Sequence, residues 1–260
     1  MAANYWASTQ YARWLLTREE IDIRRRKNLV DPSDYDMERI IRPQLIAYTQ
    51  ALGKKLRFLT RVTATASMYV LRFYTSTRMR EADPRILVPS ALYLAAKVEE
   101  MGQFKPEQII DRAKTITEAP DSPFAQFAYP VWTSQLLFAS ELLILEKLGF
   151  DLVIFLPYFE LEKYCADADV TNVTAMAGTL IIDSQRCDVG LMYPPFIIAL
   201  AALYLACVYS KAEIKPWFDQ LNINISEVRA CAKDMLDNYD DHQEEARKEK
   251  TALALSTLFK

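Results

Sequence analysis

One stretch of the chain occurs twice, and this duplication limits the folds that the chain can adopt. Ala91-Leu-Tyr-Leu-Ala95 recurs as Ala202-Leu-Tyr-Leu-Ala206, inside longer similar segments that begin at Leu87 and Phe196. A period of about one hundred residues is far longer than the roughly 20 to 50 residues of a solenoid repeat, so it indicates a duplicated domain. Small residues at helical spacing let neighbouring helices approach closely. We therefore expect an alanine-rich helix at the centre of each half.

The two copies differ in the charge of their last turn. The first copy carries Lys97, Glu99 and Glu100, whereas the stretch that follows the motif in the second copy contains Cys207, Tyr209 and Ser210. This difference predicts that the first half keeps a functional surface and that the second half keeps mainly the architecture.

Composition excludes several classes of protein. The 260 residues are 51% hydrophobic, which is enough for buried cores in one large or two small domains. The net charge of -3 disfavours direct binding to nucleic acid, which depends on basic residues that neutralise phosphates. The four cysteines form no Cys-x-x-Cys pair, so neither a zinc ribbon nor a disulfide framework is indicated.

Membrane and enzyme functions are also disfavoured. No signal peptide is apparent, and the apolar run from Phe196 to Tyr209 is too short to cross a bilayer, which favours a soluble intracellular protein without a membrane partner. His242 is the only histidine, which excludes histidine triads and multi-histidine metal sites. The five glycines are isolated, so no phosphate-binding loop is present. We expect no cofactor and no catalysis, although an all-α enzyme with a carboxylate site stays open.

The hydrophobic spacing predicts an all-α fold, because apolar residues recur every three or four positions. A first helix is predicted from Ser8 to the basic run Arg24–Lys27, and Asp31-Pro-Ser-Asp34 should end it. Five helices then follow up to Phe150. They are predicted to run through Leu52, from Leu59 to Met79, through the alanine-rich segment, after Pro106, and from Trp132 to Leu148.

Signals at the end of this series separate the two halves. Gly149 follows the fifth helix where a positive φ is favoured, and Pro157 marks the boundary. The same order of helices can be traced again from Tyr158 to about Arg247. Between Thr117 and Tyr129 two prolines predict an irregular loop that could meet a partner.

Several of these segments resemble cyclins. The first half contains Val70-Leu-Arg-Phe-Tyr74, Leu94-Ala-Ala-Lys-Val-Glu-Glu100 and a segment from Glu141 to Asp151, in the order and spacing of a cyclin box. The opening Met1–Tyr11 and the segment Leu191–Ala201, with its Tyr-Pro-Pro, are similar to the cyclin C group, whose members serve the Mediator kinase module. The resemblance extends from the first residue to about residue 240.

The resemblance implies two tandem five-helix cyclin folds preceded by an amino-terminal helix. We expect an amino-terminal segment and helix at 1–36, a first cyclin box at 37–152, a second at 153–247 and a carboxy-terminal tail at 248–260. It further implies a nuclear, non-catalytic subunit that binds and activates the cyclin-dependent kinase of the Mediator complex and meets other kinase-module subunits. The alternatives are another transcriptional cyclin, serving a polymerase-tail kinase, and, less favoured, a DNA-binding cyclin-fold transcription factor or a helical scaffold.

The resemblance also assigns residues to the kinase contact. It places a lysine of the third box helix and a glutamate of the fifth at the kinase, and Lys97 and Glu141 occupy those positions, with Glu100 beside them. The alternative interpretation is an ordinary ion pair on a solvated surface, since exposed pairs are common and contribute little.

Trp6 and Glu99 are candidates for a groove that receives an activating Mediator subunit. Trp6 could equally anchor the amino-terminal segment in the protein's own core, and Glu99 could simply solvate the end of its helix. The basic run Arg24–Lys27 is typical of a solvated helix end that complements the helix dipole. A nuclear-import signal or a docking point for an acidic partner are the alternatives for this run.

One departure from the family pattern argues against a cell-cycle cyclin. Those cyclins recruit substrates through an apolar patch, Met-Arg-Ala-Ile-Leu followed by tryptophan. The corresponding residues here are Ile41-Arg-Pro-Gln-Leu45 and Tyr48. Pro43 and Gln44 interrupt the apolar surface, so recruitment of substrates through this patch is not expected.

Overall fold

The computed structural model describes residues 4–27, 31–102, 104–125, 130–237, 239 and 244–259, and only the backbone at 244–246. His242, which the sequence singled out, lies outside these residues, as do 126–129 of the predicted loop. Within the described part the secondary structure is helical without strands, so the predicted all-α class is confirmed.

The helices fall into two compact units. The first unit comprises Thr17–Ile154 with Gln243–Lys260, and the second comprises Met1–Leu16 with Phe155–His242. The first unit contains α2 (Arg18–Lys27), α3 (Pro32–Lys55), α4 (Thr60–Ser76), α5 (Pro84–Val98), α6 (Pro106–Thr117), α7 (Ser134–Lys147) and α14 (Glu244–Leu258). The second contains α1 (Thr9–Trp14), α8 (Tyr158–Asp167), α9 (Thr174–Ser184), α10 (Val189–Met192), α11 (Pro195–Ser210), α12 (Lys215–Phe218) and α13 (Ile225–Asp237), with 3-10 turns at Tyr5–Ala7 and Thr171–Val173.

Local sequence explains where the main helices begin. Proline occupies the first position of α3, α5, α6 and α11, where its missing N–H costs no helical hydrogen bond. Asp31 and Asp83 cap α3 and α5 by accepting backbone N–H bonds at 2.9 Å, and Thr133 caps α7 in the same way at 3.1 Å. The five predicted helices of the first half are therefore present, with α3 beginning at Pro32.

The alanine-rich helix lies at the centre of each unit, as predicted. In the first unit α5 packs against α3, α4, α6 and α7, and in the second α11 packs against α8, α9 and α13. Ala91 and Ala95 are fully buried, as are Ala202 and Ala206. Small side chains at these positions allow several helices to surround a central one.

The amino-terminal segment forms two helices instead of the single helix predicted from Ser8 to Lys27. Thr17 and Glu20 explain the break, because they form a capping box at the start of α2. The side chain of Thr17 accepts a hydrogen bond from the N–H of Glu20 at 3.2 Å, and the carboxylate of Glu20 accepts one from the N–H of Thr17 at 2.8 Å.

In the second unit, the buried Gln10 side chain exchanges two hydrogen bonds with the backbone of Phe155.

The basic run at the end of α2 differs from a solvated helix end. Arg25 is 4% exposed, and the guanidinium of Arg26 lies 4.2 Å from the centroid of the Tyr35 ring. Arg25 is thus part of the packing of α2 in the first unit, and the interpretation as a solvated helix end is wrong for this residue. Arg24, Arg26 and Lys27 are exposed, as that interpretation predicts.

The carboxy-terminal segment at 248–260, expected as a tail, lies largely within α14. This helix packs along α3, and its Ala254, Leu255 and Leu258 are buried. The position of α14 gives α3 a cover from the same chain. Among the described residues, no helix is long and apolar enough to cross a membrane.

Candidate functional site

The site is built where α5 and α7 of the first unit pack side by side. The hydroxyl of Ser90 donates to the backbone carbonyl of Leu137 at 3.1 Å, which ties the two helices together in the core. The small residues of α5 bring α7 close, so a side chain from the last turn of α5 can meet one from the middle of α7.

Lys97 and Glu141 meet at the surface end of this helix pair. The ammonium of Lys97 donates a hydrogen bond to Oε1 of Glu141 and forms an ion pair with it. The lysine side chain is 46% exposed, and the glutamate side chain is 10% exposed. The two residues assigned to the kinase contact therefore form an ion pair with each other, in which the carboxylate is largely buried and the ammonium is accessible.

An aromatic residue that the sequence interpretation missed supports the lysine. Nζ of Lys97 lies 4.5 Å from the ring centroid of Tyr93, one helical turn earlier, within the range of a cation–π contact. The ring of Tyr93 in turn lies 5.9 Å from that of Phe138 on α7. The i, i+4 spacing of Tyr93 and Lys97 is the sequence signal that could have revealed this contact.

Exposed apolar side chains lie beside the pair on α7. Phe138 is 44% exposed and Leu142 is 62% exposed. They precede and follow Glu141 on the helix. Exposed aromatic and apolar side chains are typical of the core of a protein interface, and charged side chains beside them are typical of its polar rim.

Glu99 and Glu100 end α5, and they have different environments. Glu99 accepts a hydrogen bond from the hydroxyl of Thr65 at 2.7 Å and lies 3.6 Å from Nε of Arg61. Glu100 is exposed and has a φ of +52°. Its N–H donates to the carbonyl of Lys97, and the next N–H donates to Ala96, which forms a Schellman cap.

Trp6 lies in the second unit, where it borders a cavity of about 320 Å³. The indole is 56% exposed, and its ring centroid lies 5.1 Å from that of Tyr11 and 5.7 Å from that of Phe196. The cavity is lined by Tyr5, Trp6, Phe155, Leu156, Glu160, Pro195 and Phe196. Trp6 thus belongs to the second unit and Glu99 to the first.

The described residues contain no group of three or more His, Cys, Asp or Glu side chains that could hold a metal ion. All four cysteines are free. Burial raises the pKa of the Cys187 thiol to about 12, so this thiol is protonated at neutral pH.

Comparison with known proteins identifies the family. The Cyclin, N-terminal domain family matches residues 11–153. Cyclin-C1-2 of Arabidopsis thaliana is 32% identical over 251 residues, which cover 94% of this chain and 93% of the relative. Cyclin-C of Rattus norvegicus is 30% identical over 263 residues, covering 100% of this chain and 91% of the relative.

The chain belongs to the cyclin family, in its cyclin C group.

Solved structures share the fold of this cyclin. A chain of the CAK complex of Chaetomium thermophilum bound to ATP-γ-S superimposes with a TM-score of 0.73 at 17% identity, covering 98% of this cyclin and 87% of that chain. A chain of the yeast TFIIK complex (Kin28/Ccl1/Tfb3) gives a TM-score of 0.71 at 20% identity, covering 89% of this cyclin and all of that chain. The expected tandem cyclin folds are confirmed.

Proposed function

We propose that this cyclin is a non-catalytic regulatory subunit that binds and activates a cyclin-dependent kinase acting in RNA polymerase II transcription. The kinase we propose is that of the Mediator kinase module, which makes this a nuclear protein. The observation that supports the proposal best is the Lys97–Glu141 pair, presented at the surface between α5 and α7. The full-length likeness to cyclin C proteins supports the choice of kinase.

The mechanism follows from what a kinase requires. A protein kinase is active when a lysine–glutamate ion pair holds the nucleotide phosphates, and that glutamate lies on a mobile helix. A cyclin that binds this helix better in its inward position shifts the population toward the active state. Only the difference in affinity between the two states produces activation.

Lys97 has the chemistry that such a helix contact needs. An ammonium has three N–H donors, and the bond to Glu141 uses one of them. The exposed part of Lys97 can therefore donate to backbone carbonyls or carboxylates of the kinase. Phe138 and Leu142 would cover the apolar side of the same helix, and Glu100 would contact the kinase at the edge.

The proposal is tested by measuring, with calorimetry, the affinity of the kinase for the variants Lys97→Ala and Glu141→Ala. Truncating one partner of a buried interfacial charge pair costs about 2 to 5 kcal/mol, so we expect a loss of this size. Lys215→Ala is the matched control, because Lys215 also pairs with a carboxylate, at 3.7 Å from Asp219, but is 86% exposed and lies in the second unit. Kinase affinity equal to wild type in both site variants would overturn the assignment, provided that thermal melts show folded proteins.

A second transcriptional kinase is the alternative partner. The fold neighbours named above come from kinase complexes, and a third, from the yeast RNA Pol II CTD kinase CTDK-1 complex, has a TM-score of 0.68 at 17% identity. Similarity at this level supports the fold alone, whereas the cyclin C relatives match at about 30% identity. Activation of a panel of transcriptional kinases by the purified cyclin distinguishes the two candidates.

We also propose that Trp6 and Glu99 help to dock an activating subunit of the kinase module. An exposed indole beside an open cavity supports docking over a core role, because aromatic anchors dominate interface energetics. Trp6→Ala should reduce activation by the third subunit and preserve the binary kinase complex. A lower melting temperature together with weaker binding of both partners would instead assign Trp6 to the fold.

A further inference from the structure

Tyr93 and Lys97 form a contact that the pair with Glu141 does not explain. The ammonium lies 4.5 Å from the ring centroid of Tyr93, and the ring lies 5.9 Å from Phe138. Lys97 therefore has an aromatic face on one side and the carboxylate of Glu141 on another. Two attractive groups at different angles restrict a side chain more than one does.

A restricted lysine matters because lysine is flexible. Its four-carbon stem adopts many rotamers, and much of this conformational entropy is lost when the side chain binds a partner. An exposed ion pair alone holds such a side chain weakly, since water screens it. A ring face that attracts the ammonium restricts the side chain before the kinase binds. Less conformational entropy is then lost on binding, which is preorganisation.

The second copy of the repeat provides an internal comparison. Tyr204 occupies the position of Tyr93 in the repeated Ala-Leu-Tyr-Leu-Ala motif, and Val208 occupies the position of Lys97. Tyr204 packs edge-on against Phe218, with centroids 6.0 Å apart. The tyrosine is thus a packing residue in both copies, and the cation contact belongs to the first copy.

We propose that Tyr93 is a positioning residue, which holds the ammonium of Lys97 toward Glu141 and in the direction from which it meets the kinase. This inference rests on the proposed function for its consequence in binding. The contact itself exists in the cyclin alone, so it can be tested without the kinase.

The first experiment measures the geometry by NMR on the uncomplexed cyclin. Protons of the Lys97 side chain above the Tyr93 ring should be shifted upfield by the ring current. We expect the shift to persist in Tyr93→Phe and to disappear in Tyr93→Leu. Lys97 shifts that are the same in wild type and Tyr93→Leu would overturn the proposal.

The second experiment measures kinase affinity. Loss of a surface cation–π contact should weaken binding roughly 2- to 5-fold in Tyr93→Leu. Tyr93→Phe should bind as wild type does, because the ring face is kept. Tyr204→Leu is the matched control, and it removes the equivalent tyrosine without a lysine above it.

A double-mutant cycle separates positioning from packing. In a Lys97→Met background, Tyr93→Leu should cause no further loss of kinase affinity. An equal loss in both backgrounds would show that Tyr93 acts through the fold and would overturn the proposal. If Lys97→Met itself leaves kinase affinity unchanged, the proposed function of the pair fails, while the NMR shifts still decide whether Tyr93 positions the lysine.

Discussion

Buried charges join α3 to neighbouring parts of the first unit. Glu38 is 3% exposed and accepts the N–H of Met79 at 3.0 Å. Asp34 accepts two hydrogen bonds from Arg80, each at 3.0 Å. Burial raises the pKa of Glu38 above its ordinary value of 4.5, and the Met79 bond and the positive charge of Arg42 only partly oppose this. Glu38 therefore holds its proton to a higher pH in the folded protein than in the unfolded chain.

The raised pKa of Glu38 predicts a pH dependence of stability. From about pH 4.5 up to the raised pKa, the folded state binds more protons at Glu38 than the unfolded state does, so the free energy of unfolding falls as pH rises. Glu38→Gln removes this titration and keeps an oxygen that can accept the Met79 N–H. Urea unfolding at several pH values should give a flatter profile for the variant over this range. Identical profiles would show that Glu38 does not titrate there.

At the scale of single residues, the sequence predicted which residues form the site better than it predicted their burial and contacts. The family resemblance assigned Lys97 and Glu141, and they do meet. The burial of Glu141 and the aromatic face of Tyr93 depend on how closely α7 approaches α5, which is a property of the packed helices. The buried Arg25 is a similar case, because a run of four basic residues gives no local sign that one of them turns inward.

At the scale of helices, the two copies of the repeat end in the same way. Glu100 and Lys211 each lie five residues after the last alanine of the repeated motif, and they have φ values of +52° and +56°. In both copies, backbone N–H groups of the cap return to the last turn of the helix. A residue with a β-carbon is strained in this left-handed region, where glycine is not.

This shared cap allows a paired prediction. Glu100→Gly and Lys211→Gly should each raise the free energy of unfolding by about 0.5 to 1 kcal/mol, since relief of strain exceeds the greater flexibility of glycine in the unfolded chain. If Glu100 contacts the kinase as proposed, Glu100→Gly should also weaken kinase binding, whereas Lys211→Gly should not. Denaturant unfolding and calorimetry measure the two effects separately. Lower stability of both variants would contradict the prediction.

The sequence predicted that the helices are present better than it predicted the residues at which they begin and end. Gly149 has a φ of +60°, as its position after α7 indicated. The break between α1 and α2 was missed, although Thr17 and Glu20 have the spacing of a capping box. The apolar spacing continues across that break, so periodicity alone joined two helices that the cap separates.

At the scale of the whole molecule, α14 is the element that the sequence interpretation placed least well. Its buried Leu255 and Leu258 lie at helical spacing with Thr251 and Ala254. That spacing indicates an amphipathic helix, but not the surface that it covers. Contacts between residues so far apart in sequence, such as α14 with α3, leave no local signal. The same holds for the described residues 4–16, which belong to the second unit although they precede the first unit in the chain.

The packing of α14 predicts that substitutions of two nearby leucines have different effects on the free energy of unfolding. Leu255 is 2% exposed and Leu253 is 68% exposed. Leu255→Ala should lower the free energy of unfolding by about 2 to 5 kcal/mol, because it leaves a cavity against the first unit. Leu253→Ala should stay within about 0.5 kcal/mol of wild type. Equal effects of the two substitutions in urea unfolding would mean that α14 does not pack as described.

The assignment of α14 to the first unit has a consequence for synthesis on the ribosome. When residue 154 has been translated, the first unit still lacks its last helix, because the whole stretch 155–242 is made before α14. Throughout that interval the surface of α3 that α14 will cover faces solvent or a chaperone. Incomplete chains with exposed apolar surface aggregate readily. Translation that stops within the second unit therefore yields a chain that quality control can recognise by its uncovered α3.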